Sequence, residues 1–78
     1  MNIDTIREEL VDHIGDKAII KCNLGRNKIA EYNVTIKKTY DHIFLVEVND
    51  NINTFVKSFS YSDVITKTVK IDYKKIAP

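Results

Sequence analysis

Apolar residues recur at spacings of three and four near the start of the chain, then switch to every second position. Ile3, Ile6, Leu10 and Ile14 form one stripe, with Arg7, Glu8, Glu9 and Asp12 on the other side. That spacing predicts an amphipathic helix over residues 3–14. Asp4 or Thr5 can cap its start, Thr5 with Glu8 fits a capping box, and Gly15 suits the position just past its end.

From Lys17 onward the period is two. Ala18, Ile20, Cys22 and Leu24 alternate with Ile19, Lys21 and Asn23, which predicts a strand with one buried face. Gly25-Arg26-Asn27-Lys28 is turn chemistry, because Gly25 and Asn27 both tolerate positive φ. A long strand follows over residues 29–40, with Tyr32, Val34 and Ile36 on one face. Lys37-Lys38 marks its polar end, and Tyr40-Asp41-His42 makes the next turn. Residues 43–48 begin apolar on both faces, as a central strand or one bordering a second subunit would. The cluster Asn49-Asp50-Asn51-Ile52-Asn53 is a turn. Residues 54–60 predict a fourth strand, and Tyr61-Ser62-Asp63-Val64 a single helical turn. Residues 65–73 predict a fifth strand with Ile65, Val69, Ile71 and Tyr73 on one face and Lys67 as a misfit. Residues 74–78 form a tail prone to fray.

No linker or repeat interrupts this order, so residues 1–78 read as a single domain: helix 3–14, a small β-barrel over 17–73, and tail 74–78. The fold class expected is mainly β, an N-terminal α-helix followed by a five-stranded SH3-like or Sm-like small antiparallel barrel. Closing the sheet would remove edges that so small a β-protein cannot otherwise protect. A one-turn helix just before the last strand is typical of such barrels.

A chain of 78 residues buries only about 60–65% of the surface its unfolded form exposes, so the domain is expected to be marginally stable. Domains this small usually gain support from disulfides, a metal or a partner subunit. Cys22 is the only cysteine, which excludes an intramolecular disulfide and suits a reducing cytoplasm. A symmetric homodimer is then the expected supplement. No apolar run approaches the roughly 18 residues of a membrane span. Met1-Asn2-Ile3-Asp4 has neither the basic nor the apolar region of a signal peptide. The expected location is the cytoplasm, with no membrane partner.

The net charge of +1 conceals an uneven distribution. Residues 1–16 carry five acids against Arg7, a net of −4, while residues 17–78 carry eleven Lys and Arg against six acids, a net of +5. A basic body with an acidic N-terminal segment can meet polyanions or acidic partners, or the two segments can pack together and neutralise each other.

The sequence offers no catalytic constellation. Cys22 lies on the apolar face with Ala18 and Ile20, as a buried structural thiol does, whereas a reactive cysteine needs an exposed electropositive site. A zinc site would have to gather Cys22, His13 and His42 from three separate elements, so no metal or other cofactor is expected. The carboxylates Glu8, Glu9 and Asp12 belong to the solvated face of the helix. With two glycines in all, neither a P-loop nor a dinucleotide fingerprint is present.

Surface recognition remains. Arg26 and Lys28 sit at a hairpin tip, and Lys37, Lys38, Lys57, Lys67 and Lys70 add positive charge along the strands. Tyr32, Tyr40, Phe55, Phe59 and Tyr61 are interleaved with them. Small barrels that bind nucleic acid use this mixture, yet a barrel of this size also needs aromatics for its core. The pI of about 7.8 is below that of typical nucleic-acid binders. A second candidate surface is apolar: Ile19, Ile29, Ile43 and Leu45 include outward registers, which mark either a protein interface or the seat of the helix.

Three segments carry a resemblance. Gly25, Arg26 and Lys28 in the first hairpin, Thr39-Tyr40 with Phe44, and Ser60-Tyr61-x-Asp63-Val64-Ile65-Thr66-x-Thr68-Val69 are similar to the Veg family of small proteins from low-GC Gram-positive bacteria. The likeness runs from the helix to about Ile71 and departs at Tyr32 and Val34, where smaller or more polar residues are expected. It implies a cytoplasmic, non-enzymatic Sm/SH3-like barrel associated with transcription and biofilm formation, acting on a protein partner, a repressor of matrix genes. Carried onto this chain, it points to Arg26, Lys28, Tyr40, Tyr61 and Asp63 as partner-binding positions. For two of these a packing role competes: Asp63 can cap the one-turn helix and Tyr61 can fill the barrel corner.

Overall fold

The computed structural model describes residues 2–50 and 52–73; the predicted tail 74–78 lies outside the described residues. In chain order the elements are α1 (Ile3–Asp12), β1 (Lys17–Gly25), β2 (Lys28–Thr39), β3 (Ile43–Asn49), β4 (Thr54–Ser60), α2 (Tyr61–Ile65) and β5 (Val69–Tyr73). The five strands form one sheet in the order β4-β3-β2-β1-β5, with every neighbouring pair antiparallel. β1 through β4 are a simple meander. α2 then carries the chain from one edge of the sheet to the other, where β5 pairs with β1. Among the described residues β4 and β5 are both free edges. The sheet is therefore open, and the expected closure into a barrel is not made by hydrogen bonds between them.

The alternation read from sequence decides which face is buried. Ala18, Ile20 and Cys22 from β1, Val34 and Ile36 from β2, and Phe44, Val46 and Val48 from β3 all point into one core, joined by Phe59, Tyr61 and Val69. Ile6 and Leu10 bring α1 onto the same cluster, so the helix covers the core face and leaves the outward face of the sheet bare. The α1 stripe is shorter than its pattern. Ile14 is 46% exposed, because the helix ends at Asp12 and Gly15 turns the chain at φ +90°. The Gly15 N–H then donates to the Ile36 carbonyl oxygen at 2.8 Å, and the Ile36 N–H donates to that of Asp16 at 3.0 Å. These bonds fix the helix against β2 beside the bulge at Lys37, where the register jumps between Ile36 and Lys38. A bulge there bends the long strand so that its first part pairs with β1 and its last part with β3.

Four local expectations are corrected. The N-cap of α1 is Asn2, whose side-chain oxygen accepts from the Thr5 N–H at 2.9 Å, and neither Asp4 nor Thr5 takes that place. Leu24 is 65% exposed, because β1 runs past the core toward the hairpin. β5 begins at Val69, four residues later than the pattern suggested, since Ile65 belongs to α2. Ser60 caps α2 by accepting from the Ser62 N–H, so Asp63 does not.

Candidate interaction surface

The hairpin between β1 and β2 is a two-residue turn, Arg26-Asn27, closed by the pairing of Gly25 with Lys28. Both central residues have positive φ, 44° and 62°, which is the geometry whose twist matches the flanking strands. The Asn23 side chain accepts from the Gly25 N–H at 2.8 Å and stiffens the approach. Arg26 and Lys28 are exposed here and have no ion pair among the described residues. Beside them stand Leu24 and Ile29, 65% and 66% exposed. The tip therefore carries two cations that are free among the described residues, with an exposed aliphatic side chain on each of its two strands. Sequence reasoning supplied the cations and counted Ile29 among four apolar residues that include outward registers. Leu24 it assigned to the core, because strand alternation carries no information about where the core ends.

The remaining partner-binding candidates do not gather at the tip. Tyr40, at the end of β2, is exposed and has the Lys38 ammonium 5.6 Å from its ring centre. It lines an open groove with Thr39, Asp41, His42, Ile43 and Leu45. Tyr61 is 0% exposed and its hydroxyl donates to the Tyr40 carbonyl oxygen at 2.6 Å. Its ring packs 5.7 Å from that of Phe44. Of the two readings for Tyr61, burial favours the corner of the core. Asp63 is exposed on α2.

The seven cations proposed for nucleic acid divide into two sets. Lys37 pairs with Glu47 at 3.5 Å, Lys38 lies over Tyr40, and Lys57 reaches across the sheet to the rings of Tyr32 and Phe59, at 5.4 and 5.8 Å. These three are engaged within the fold. Arg26, Lys28, Lys67 and Lys70 are free of such contacts among the described residues. Of the aromatics, Phe59 and Tyr61 are buried and Tyr32 lies half-buried under Lys57, so the stacking platform reduces to Tyr40 and Phe55.

Cys22 is buried at the inner face. Burial pushes its thiol pKa up, Lys57 opposes that shift and Asp63 adds to it. A thiol held protonated in this way is a poor nucleophile. Among the described residues no group of three or more His, Cys, Asp or Glu is placed to hold a metal ion. No described helix is long and apolar enough to cross a membrane.

Comparison with known proteins adds one finding. The family model described as biofilm formation stimulator VEG matches residues 1–72 of the chain. No curated protein matches it.

Proposed function

Because this chain belongs to the Veg family, we propose that it is a cytoplasmic, non-enzymatic interaction module that promotes biofilm formation by docking a protein regulator of transcription. The strand order, with α2 leading into β5 beside β1, supports reading the open sheet as an SH3-like or Sm-like small barrel. The observation that carries the docking surface is the hairpin tip. Arg26 and Lys28 stand free beside exposed Leu24 and Ile29. Aliphatic side chains rimmed by unpaired charge suit a protein partner with a small apolar patch and acidic surroundings. Nothing in the fold requires those side chains, since the turn itself needs only residues tolerant of positive φ.

The test is a capture experiment from the protein's own cells, split into nuclease-treated and untreated halves, together with matrix-gene transcription in the same strains. Arg26→Glu with Lys28→Glu should abolish capture of the regulator and reduce matrix-gene transcription. The far-UV circular dichroism of the variant should not change. Capture that survives the double charge reversal would refute the tip as the docking surface. Recovery that disappears with nuclease would redirect the reading to nucleic acid, which keeps only four of its seven proposed cations.

A second copy of the chain is a further partner in this proposal. Among the described residues β4 is a free edge bearing the exposed side chains Phe55 and Val56, and a bare apolar edge is a template for strand pairing.

A further inference from the structure

We propose that the groove between β1, β5 and the turn after α2 binds a compact phosphate-bearing small molecule through Lys21, Lys67 and Lys70. The three lysines come from two stretches of the chain, Lys21 on β1 and Lys67 with Lys70 where β5 begins, and line one groove of about 360 Å³ with Asn23, Ile29 and Thr68. Lys21 and Lys70 are direct cross-strand partners. Lys67 stands in the turn between α2 and β5 at φ 65°.

Each placement costs the fold something. Like charges directly opposite on neighbouring strands destabilise a sheet. A lysine at positive φ stands where glycine or asparagine would be less strained. None of the three lysines has an ion pair among the described residues, and all three are exposed, so the core gains nothing from them. Lys21 also faces Glu31 on β2, which offsets part of its repulsion from Lys70, yet a third lysine at positive φ in the same groove remains a local conflict, and such conflicts gather at sites that serve a ligand.

The chemistry of the lining selects the ligand. Lysine ammonium groups are donors only and act as point charges toward phosphate. The Asn23 side-chain oxygen is already taken by the Gly25 N–H, which leaves its amide nitrogen as a further donor. A groove that offers donors and positive charge fits an oxyanion and rejects a cation.

Its surroundings select against a long polyanion. Glu31 stands opposite Lys21 on β2, and Asp72 stands two residues beyond Lys70 on β5. A phosphodiester strand continuing along the sheet would meet those carboxylates. Among the described residues no aromatic side chain lines the groove, so a base would have nothing there to stack on. A single phosphate or diphosphate group needs only the groove itself, whose lining includes the three lysines and neither acid. This site adjoins the hairpin tip and shares Ile29 with it, but none of its three lysines is a tip cation and it does not depend on the partner proposed for the tip.

The test is a titration of the full chain with pyrophosphate, followed by amide NMR at constant ionic strength, with a single-stranded oligouridylate in a parallel arm. Saturable shifts are expected at Lys21, Lys67, Thr68 and Lys70. Lys70→Gln should weaken binding about tenfold, the effect of losing one charge-assisted hydrogen bond. Lys67→Gln should act in the same direction, while Lys37→Gln, outside the groove, should leave the affinity unchanged. The proposal fails if pyrophosphate produces no saturable shifts. It fails equally if the shifts are spread evenly over all lysines, or if only the oligonucleotide binds.

Discussion

The hydroxyl of Tyr61 donates to the carbonyl oxygen of Tyr40 at 2.6 Å, tying the first residue of α2 to the end of β2. The Tyr61 backbone N–H donates to the His42 carbonyl oxygen at 3.2 Å in the same turn, and the ring is fully buried against Phe44. One residue thus fastens the crossover helix to the β2–β3 turn by side chain and backbone together. Tyr61→Phe keeps the ring and removes the phenolic bond, so a loss of about 1–2 kcal/mol is expected. Tyr61→Ala also empties the corner and should cost about 3–5 kcal/mol. Urea denaturation of both variants checks this. A Phe variant as stable as the parent would show that the bond to Tyr40 adds no net stability.

Lys67 sits just past the C-terminus of α2, where its N–H donates to the Val64 carbonyl oxygen at 3.1 Å and its φ is 65°. Glycine is the usual residue at this position, because a Cβ crowds the backbone in the left-handed region. Lys67→Gly should raise stability by about 1 kcal/mol, after the greater freedom of glycine in the unfolded chain is set against the relieved strain. A higher urea midpoint with an unchanged slope is the expected result. The same substitution should weaken pyrophosphate binding, so stability and binding should move in opposite directions at one residue.

The periods of the apolar pattern made the helix, the strands and the inward residues of β1, β2 and β3 legible in the sequence. The failures lie where a period says nothing. Leu24 and Ile14 continue their stripes correctly, yet the core stops short of one and the helix stops short of the other. Lys67 looked like an error in a strand because the αL turn after α2 has no apolar signature. The Asn2 cap was hidden by two other capping residues, Asp4 and Thr5, two and three positions further along. At the candidate surface Arg26 and Lys28 were readable from the turn they occupy. The pairing of Lys21 with Lys70 was not, because the register between the first and last strands is set by the length of α2 and its turn. Sequence alternation placed Lys21 outward but could not name its neighbour.

Stability at alkaline pH is fixed in sign by two buried groups, Tyr61 and Cys22, and by the partly buried Tyr73. Burial is the main cause that raises the pKa of Tyr61, Tyr73 and Cys22. The negative charge of Glu9 adds to the shift at Tyr73, whose ring stacks on His13 at 4.1 Å. In the unfolded chain the thiol releases its proton near pH ~8.5 and the phenols near ~10. Above those values the unfolded chain holds fewer protons than the folded one, so stability must fall as pH rises. The contribution of these groups is fully present below about pH 8.5 and is lost in two stages, the thiol first and the phenols beyond about pH 10. Urea midpoints measured under reducing conditions at constant ionic strength should therefore hold level to about pH 8 and decline above it. Tyr73→Phe should flatten the later part of the decline, and Cys22→Ala the earlier part. Midpoints that stay level through pH ~11 would mean that these side chains open to water before they ionise, and Tyr73 would have to be held more loosely than its stack on His13 implies.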